Sequence, residues 1–198
     1  MLNYARRRTI LIAAVALVLL SSATAHADAA FDPKPDKGAH TWCYDSNFPS
    51  AYKTAADAAM TRLRAQTVVT TAYHSPCGTQ TDVRWKLSTA RDDYGWVTCD
   101  KLNASGYCDR WILNMNKPNI KGSAHPVAQR SQTACHELGH TLGVRHYARS
   151  GNSFEQEFPG SDSTHSCMVW GEVPGTSGDW YITYGHHHKT KHINPWFS

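Results

Sequence analysis

His136-Glu137-Leu138-Gly139-His140-Thr141-Leu142-Gly143-Val144-Arg145-His146 is the stretch of this chain on which the fold turns. At 3.6 residues per turn, positions i and i+4 share one face of a helix. His136 and His140 therefore present two imidazoles to one metal ion. Zinc takes nitrogen ligands at about 2.0–2.1 Å in a tetrahedral arrangement, and catalytic zinc sites leave the fourth position to water. Glu137, next to the first histidine, is placed to address such a water rather than the ion. His146 lies ten residues beyond His136. A continuing helix would carry it about 15 Å along the axis, out of reach of the same ion. Gly143 can adopt a positive φ, end the helix and turn the chain back, and only then can His146 become a third ligand. A capping glycine followed by a surface histidine is the competing reading, and the length of the H-E-x-x-H-x-x-G-x-x-H pattern weighs against it.

Over these residues the chain resembles the metzincin family of zinc endopeptidases. That family carries a methionine in a tight turn beneath the zinc. The candidate here is Met168, within Ser166-Cys167-Met168-Val169-Trp170 and the sole methionine after the zinc motif. A core methionine filling a gap is the alternative. The resemblance implies an α+β, zincin-like metzincin fold: a twisted, mostly parallel sheet with an antiparallel edge strand, two main helices and a small irregular C-terminal subdomain. Residues 110–115 are the expected edge strand, along which an extended peptide would add. Two positions depart from the better-known groups. Tyr147 follows the third histidine where Glu, Asp, Ser or Pro is usual. Trp170 stands where astacins and serralysins place a zinc-reaching tyrosine, and an indole N–H can only donate a hydrogen bond. The subfamily is therefore left open. The resemblance is strong over 136–146, fair over 166–170 and architectural elsewhere.

The chain opens with Arg6, Arg7 and Arg8, continues in an apolar run over 10–20 and reaches Ala25-His26-Ala27. A basic start, a short apolar stretch and an A-x-A site describe a secretory signal peptide over 1–27; the run is short for a membrane span. Residues 28–198, about 170 in number, suffice for one catalytic domain with its own core, its upper part ending near 146 and its lower part covering 147–198. Without the three arginines of the leader, seventeen basic residues face sixteen acidic ones, a net charge of +1. Nothing in that balance asks for nucleic acid or an anionic membrane as partner. All six cysteines, at 43, 77, 99, 108, 135 and 167, follow residue 27. An even number in an exported chain reads as disulfides. Cys99 and Cys108 are close enough to close a hairpin. Cys135 and Cys167 each precede a motif residue, and a bridge between them would pin the active-site helix to the methionine turn. Cys77, in Ser75-Pro76-Cys77-Gly78, faintly resembles a cysteine that silences matrix metalloproteases, but its place inside the domain favours a disulfide.

Residues 28–41, rich in Pro, Asp, Lys and Gly, read as an extended arm. The alanine-rich segment 51–66 has Tyr52, Ala56, Ala59, Met60 and Leu63 near helical spacing. Strands are expected over 67–73, 83–87, 94–99 and 110–115, and a turn at Pro118-Asn119. A second helix is expected over 123–143, with Pro126 in its first turn, where the missing N–H does no harm. Residues 150–163 read as loop, and the tail from 171 shows little periodicity.

The expected function is that of a secreted, extracellular zinc endopeptidase, acting as a monomer on protein or peptide substrates. One catalytic Zn2+ is held by His136, His140 and His146, and Glu137 serves as general base toward a zinc-activated water. The alternatives are a catalytically weak or inactive zinc-containing binding module on the same scaffold, and a metal-free, disulfide-stabilised interaction protein. A second metal at His186, His187, His188 and His192 is disfavoured against a solvated polar loop. Calcium at Glu155, Glu157 and Asp162 lacks a calcium-loop pattern, and His165 reads as structural. The specificity pocket is expected within 169–181.

Overall fold

The computed structural model describes residues 32–146, 166–173, 178–186 and 188–198. The expectations for 1–27, Tyr147, the Glu155, Glu157 and Asp162 loop, His165 and His187 lie outside the described residues. Among the described residues no helix is long and apolar enough to cross a membrane.

Five strands form one sheet: β1 (His40–Tyr44), β2 (Thr71–Tyr73), β3 (Val83–Leu87), β4 (Gly95–Leu102) and β5 (Cys108–Met115). Their order is β2-β1-β3-β5-β4. All neighbours are parallel except β4, which runs antiparallel to β5 with Gly95 opposite Met115 and Leu102 opposite Cys108. The class is therefore mixed α and β with a mostly parallel sheet and an antiparallel edge strand, as expected. The strand at that edge is not the expected one. Residues 110–115 belong to β5, an inner strand, and β4 is the edge. The burial patterns give the reason: Trp111, Leu113, Asn114 and Met115 are buried, whereas β4 contains no buried residue.

Two long helices cover the sheet. The first, α1 (Ser50–Gln66), buries Tyr52, Ala55, Ala56, Ala59, Met60 and Leu63, an i, i+3, i+4 stripe. The second, α3 (Pro126–Thr141), has Pro126 in its first turn as expected but is shorter at both ends than the expected 123–143, and it is buried continuously from Gln132 to Thr141. Their shared core includes Trp85, Leu113 and Met115 from the sheet and Leu138 from α3. Three differences from expectation concern short elements. The arm over 28–41 ends earlier, because His40–Tyr44 pairs on both sides as β1. Pro118-Asn119 is not an isolated turn. It lies in the first turn of α2 (Lys117–Gly122), where the Asn116 side chain caps the Asn119 N–H. The tail contains a 3-10 turn (Trp180–Ile182), a π-helical segment (His188–Ile193) and α4 (Asn194–Phe197).

All six cysteines are paired, as Cys43–Cys77, Cys99–Cys108 and Cys135–Cys167. The second closes the β4–β5 hairpin and the third ties α3 to the turn at 166–169, both as expected. The first places Cys77 in a bridge.

Candidate metal centre

The last two turns of α3 carry His136 and His140, and both are buried. Gly143 then takes φ +81°. The helix ends in a pair of turn hydrogen bonds, Gly143 N–H to the His140 carbonyl at 3.0 Å and Val144 N–H to the Gly139 carbonyl at 3.1 Å. This is a glycine-centred helix stop in which a left-handed residue lets the chain reverse. The reversal delivers His146 to the face that carries the other two histidines. The His140 Nε2 atom lies 3.2 Å from Nε2 of His136 and 3.1 Å from Nε2 of His146. These three residues form a group able to hold a metal ion.

The tautomers follow from the opposite ring nitrogens. Nδ1 of His136 lies 2.8 Å from the Cys167 carbonyl, and Nδ1 of His140 lies 2.8 Å from the Val144 carbonyl. A carbonyl only accepts, so each Nδ1 carries the proton and each Nε2 presents a lone pair. Burial, then the charges of His140 and His146, hold the His136 pKa well below its ordinary range. Burial, then His146, bring His140 down to about 3. Neutral imidazoles with converging lone pairs are the donor set a divalent cation requires. In a tetrahedral site with bonds of about 2.0–2.1 Å, neighbouring nitrogens stand roughly 3.3 Å apart, close to the spacing found here.

Glu137 is buried, and its Oε2 has no hydrogen-bond partner among the described residues. Burial raises its pKa well above the carboxylate range; Asp93 adds to the rise and Arg91 opposes it. Gly95 of β4 makes this placement feasible, because a Cβ there would stand 2.7 Å from Glu137 Cγ. Glu137 and the three histidines open on a cleft of about 790 Å³. One wall is the approach to β4 with Gly95, Trp96 and Val97, and the other is Trp170, Gly171 and Glu172. The expected pocket region over 169–181 thus contributes its first residues.

Met168 is fully buried and lies directly beneath α3, where a Cβ on Gly139 would meet its Sδ at 2.1 Å. The turn around it is held by residues that sequence reasoning passed over. Gln132, one helical turn before His136, donates Nε2–H to the carbonyls of Cys167 at 3.1 Å and Val169 at 2.9 Å. Ser166 Oγ accepts the Met168 N–H at 3.1 Å and lies 2.7 Å from His188 Nδ1. Tyr184 donates its hydroxyl to the Cys135 carbonyl at 3.0 Å. No short motif marks these partners, though polar residues within the apolar run of α3 are a signal for Gln129 and Gln132. His188 is buried beneath the turn, so the expected solvated loop does not hold for it; among the described residues the one metal-capable group is that of His136, His140 and His146. Trp170 is 41% exposed at the cleft rim.

No protein-family model matches this sequence, and no curated protein matches it. Two structures of myroilysin and one of a hatching enzyme are among the solved structures that align with it. A structure of myroilysin aligns at 15% identity and TM-score 0.45, covering 86% of this chain and 96% of that one. A crystal structure of myroilysin aligns at 18% identity and TM-score 0.39, covering 57% and 45%. High choriolytic enzyme 1, a hatching enzyme zinc-protease from the medaka fish Oryzias latipes, aligns at 18% identity and TM-score 0.36, covering 59% and 50%. The match spans about half the length of the last two chains.

Proposed function

We propose that this chain is a secreted zinc-dependent endopeptidase of metzincin type. The observation that carries the reading is the convergence of three Nε2 atoms, those of His136 and His140 unprotonated by their Nδ1 hydrogen bonds, beside a buried carboxylate whose Oε2 has no hydrogen-bond partner among the described residues. His136, His140 and His146 hold the ion, and Met168 forms the apolar floor of the site. When bound, zinc supplies Lewis acidity toward a substrate carbonyl and toward water. Glu137 accepts the proton of the attacking water at Oε2 and returns it to the departing amine nitrogen. The desolvated setting that raises its pKa makes it a stronger base than an exposed carboxylate. The Cys167 and Val144 carbonyls hold His136 and His140 in the ligating tautomer throughout.

The open edge of β4 faces the cleft and takes an extended peptide as an added strand. Three disulfides favour an oxidising compartment, in keeping with a leader over residues 1–27.

The test uses Glu137→Gln. General-base loss lowers turnover by about 10²–10⁴-fold, while elemental analysis still finds zinc bound. A chelator abolishes casein cleavage by the parent protein and zinc restores it. An inert binding module retains zinc and shows no chelator-sensitive cleavage. Cleavage by Glu137→Gln at the parent rate would refute the role of Glu137.

A further inference from the structure

Pro35, in the arm ahead of β1, is buried and held from three sides. The first is the start of β5. The Cys108 N–H donates to the Lys34 carbonyl at 2.8 Å and the Asp36 N–H donates to the Cys108 carbonyl at 3.1 Å, a parallel bridge centred on Pro35. The second is α4. The Trp196 indole N–H donates to the Pro35 carbonyl at 3.1 Å. The ammonium groups of Lys34 and Lys37 lie 4.7 and 4.8 Å from the centre of the Trp196 ring, within cation–π range. Tyr107 meets the same ring edge-on at 5.4 Å. The third is the turn that ends α3. A Cβ on Gly143 would stand 3.0 Å from Pro35 Cδ, so the pyrrolidine ring packs on the glycine whose left-handed backbone turns the chain toward His146. The α4 segment is itself anchored: Asn194 Oδ1 accepts the Val68 N–H at 3.1 Å, and the Phe197 ring meets His40 of β1 edge-on at 6.1 Å.

The three histidines depend on this turn unequally. His136 and His140 lie within α3. The carbonyl partner of His140 belongs to Val144, which is held by its own N–H to the Gly139 carbonyl at 3.1 Å and by a fully buried side chain. His146 lies beyond the turn, outside any helix or strand, and is only half-buried. Its place beside His140 is set by the path on which the backbone leaves Gly143.

Resting on the zinc-peptidase reading above, we propose that Trp196 and Pro35 are positioning residues for the third ligand. The arm, clipped to α4, fixes the Gly143 turn and so holds His146 beside His140, where it completes the donor set. A loosened clip leaves a site of two histidines.

The test measures zinc affinity of the disulfide-intact chain by competition with a chromophoric chelator, with no substrate present. Trp196→Ala should weaken zinc binding by about tenfold, the size of a loss beyond the ligands themselves. Trp196→Phe, which keeps an aromatic ring and removes the N–H donated to Pro35, should weaken it by about threefold. General loosening of the fold would lower affinity as well, so both substitutions are repeated in a His146→Ala background. There each ratio should return to about one, because residues that act through a shared partner are not additive. Cobalt(II) supplies a spectroscopic check: the visible absorption of Trp196→Ala should move toward that of His146→Ala. If Trp196→Ala does not fold, Trp196→Phe decides. An unchanged Kd, a cobalt spectrum that stays that of the parent, or the same fold-loss with and without His146 overturns the positioning role and leaves the zinc-peptidase reading intact. A parent protein that binds no zinc overturns both.

Discussion

Replacing Gly139 by alanine tests how tightly the turn around Met168 packs beneath α3 at the candidate metal centre. A Cβ at this position would stand 2.1 Å from Met168 Sδ, 3.0 Å from its Cε and 3.1 Å from Tyr184 Cε1. Comfortable contact needs about 3.5–4.0 Å, so the sulfur must retreat by more than an ångström. It has little freedom to do so. Met168 is fully buried, its N–H is held by Ser166 Oγ, and its neighbour Cys167 is bridged to Cys135. Overpacking of this kind costs about 1–3 kcal/mol. Alanine in place of glycine within a helix returns about 1 kcal/mol. A displacement of more than an ångström puts the overpacking cost in the upper part of that range, about 2–3 kcal/mol, so the net destabilisation is about 1–2 kcal/mol, which lowers Tm by about 2–8 °C in a domain of this size. The assay is thermal unfolding with a chelator present and disulfides intact, so that metal affinity does not mask the packing change. Gly122→Ala is the control: nothing lies within 4 Å of a Cβ there, and its Tm should hold or rise. A Gly139→Ala protein as stable as the parent would refute the packing of Met168 against α3.

Gln132→Leu removes the donor to the Cys167 and Val169 carbonyls, one of which orients His136. Zinc affinity should fall by about tenfold, measured by competition with a chromophoric chelator; an unchanged Kd would place the support of His136 elsewhere. His40, on β1, is buried with its Nε2 2.8 Å from Thr141 Oγ1, and burial lowers its pKa from 6.5 to about 4. The unfolded chain therefore binds one more proton than the folded chain between pH 6.5 and 4, so the stability that His40 contributes is complete above 6.5 and is lost as pH falls through that window. The loss amounts to about 3 kcal/mol. Urea unfolding should show His40→Gln with a shallower pH dependence than the parent by about one proton over that range; identical slopes would refute it.

The inner and outer strands show where sequence reading stops. The edge of a sheet is decided by pairing among segments far apart in the chain, which periodicity does not report. β5 and β4 both have strand-like composition, yet β4 contains Thr98, Asp100 and Lys101 while β5 contains Trp111, Ile112 and Leu113. That difference in apolar density was the available signal that β5 is covered on both faces and β4 is the rim. β1 was hidden differently. Its five residues follow a Pro- and Gly-rich arm and show no polar–apolar alternation, and its pairing with β2 and β3 on its two edges involves segments far along the chain.

The candidate site was legible where chemistry fixes spacing within a single segment. Two candidate ligands one helical turn apart, the carboxylate beside them and the glycine that reverses the chain all fall within eleven residues, 136–146. What orients His136 comes from elsewhere: the Cys167 carbonyl, and the Gln132 clamp that fixes that carbonyl. Hydrogen bonds from side chain to backbone leave no pattern in a sequence, since any residue supplies a carbonyl. Gly139 makes the sharper case. In the motif it occupies an unspecified position, and its backbone is ordinary helix, so the argument that singles out Gly143 by its positive φ does not reach it. Its constraint is space: Met168 and Tyr184 fill the volume a Cβ would need. The two glycines of the motif are thus required for unrelated reasons, one by backbone conformation and one by a side chain 29 residues away in sequence, and only the first reason can be read before the chain is folded.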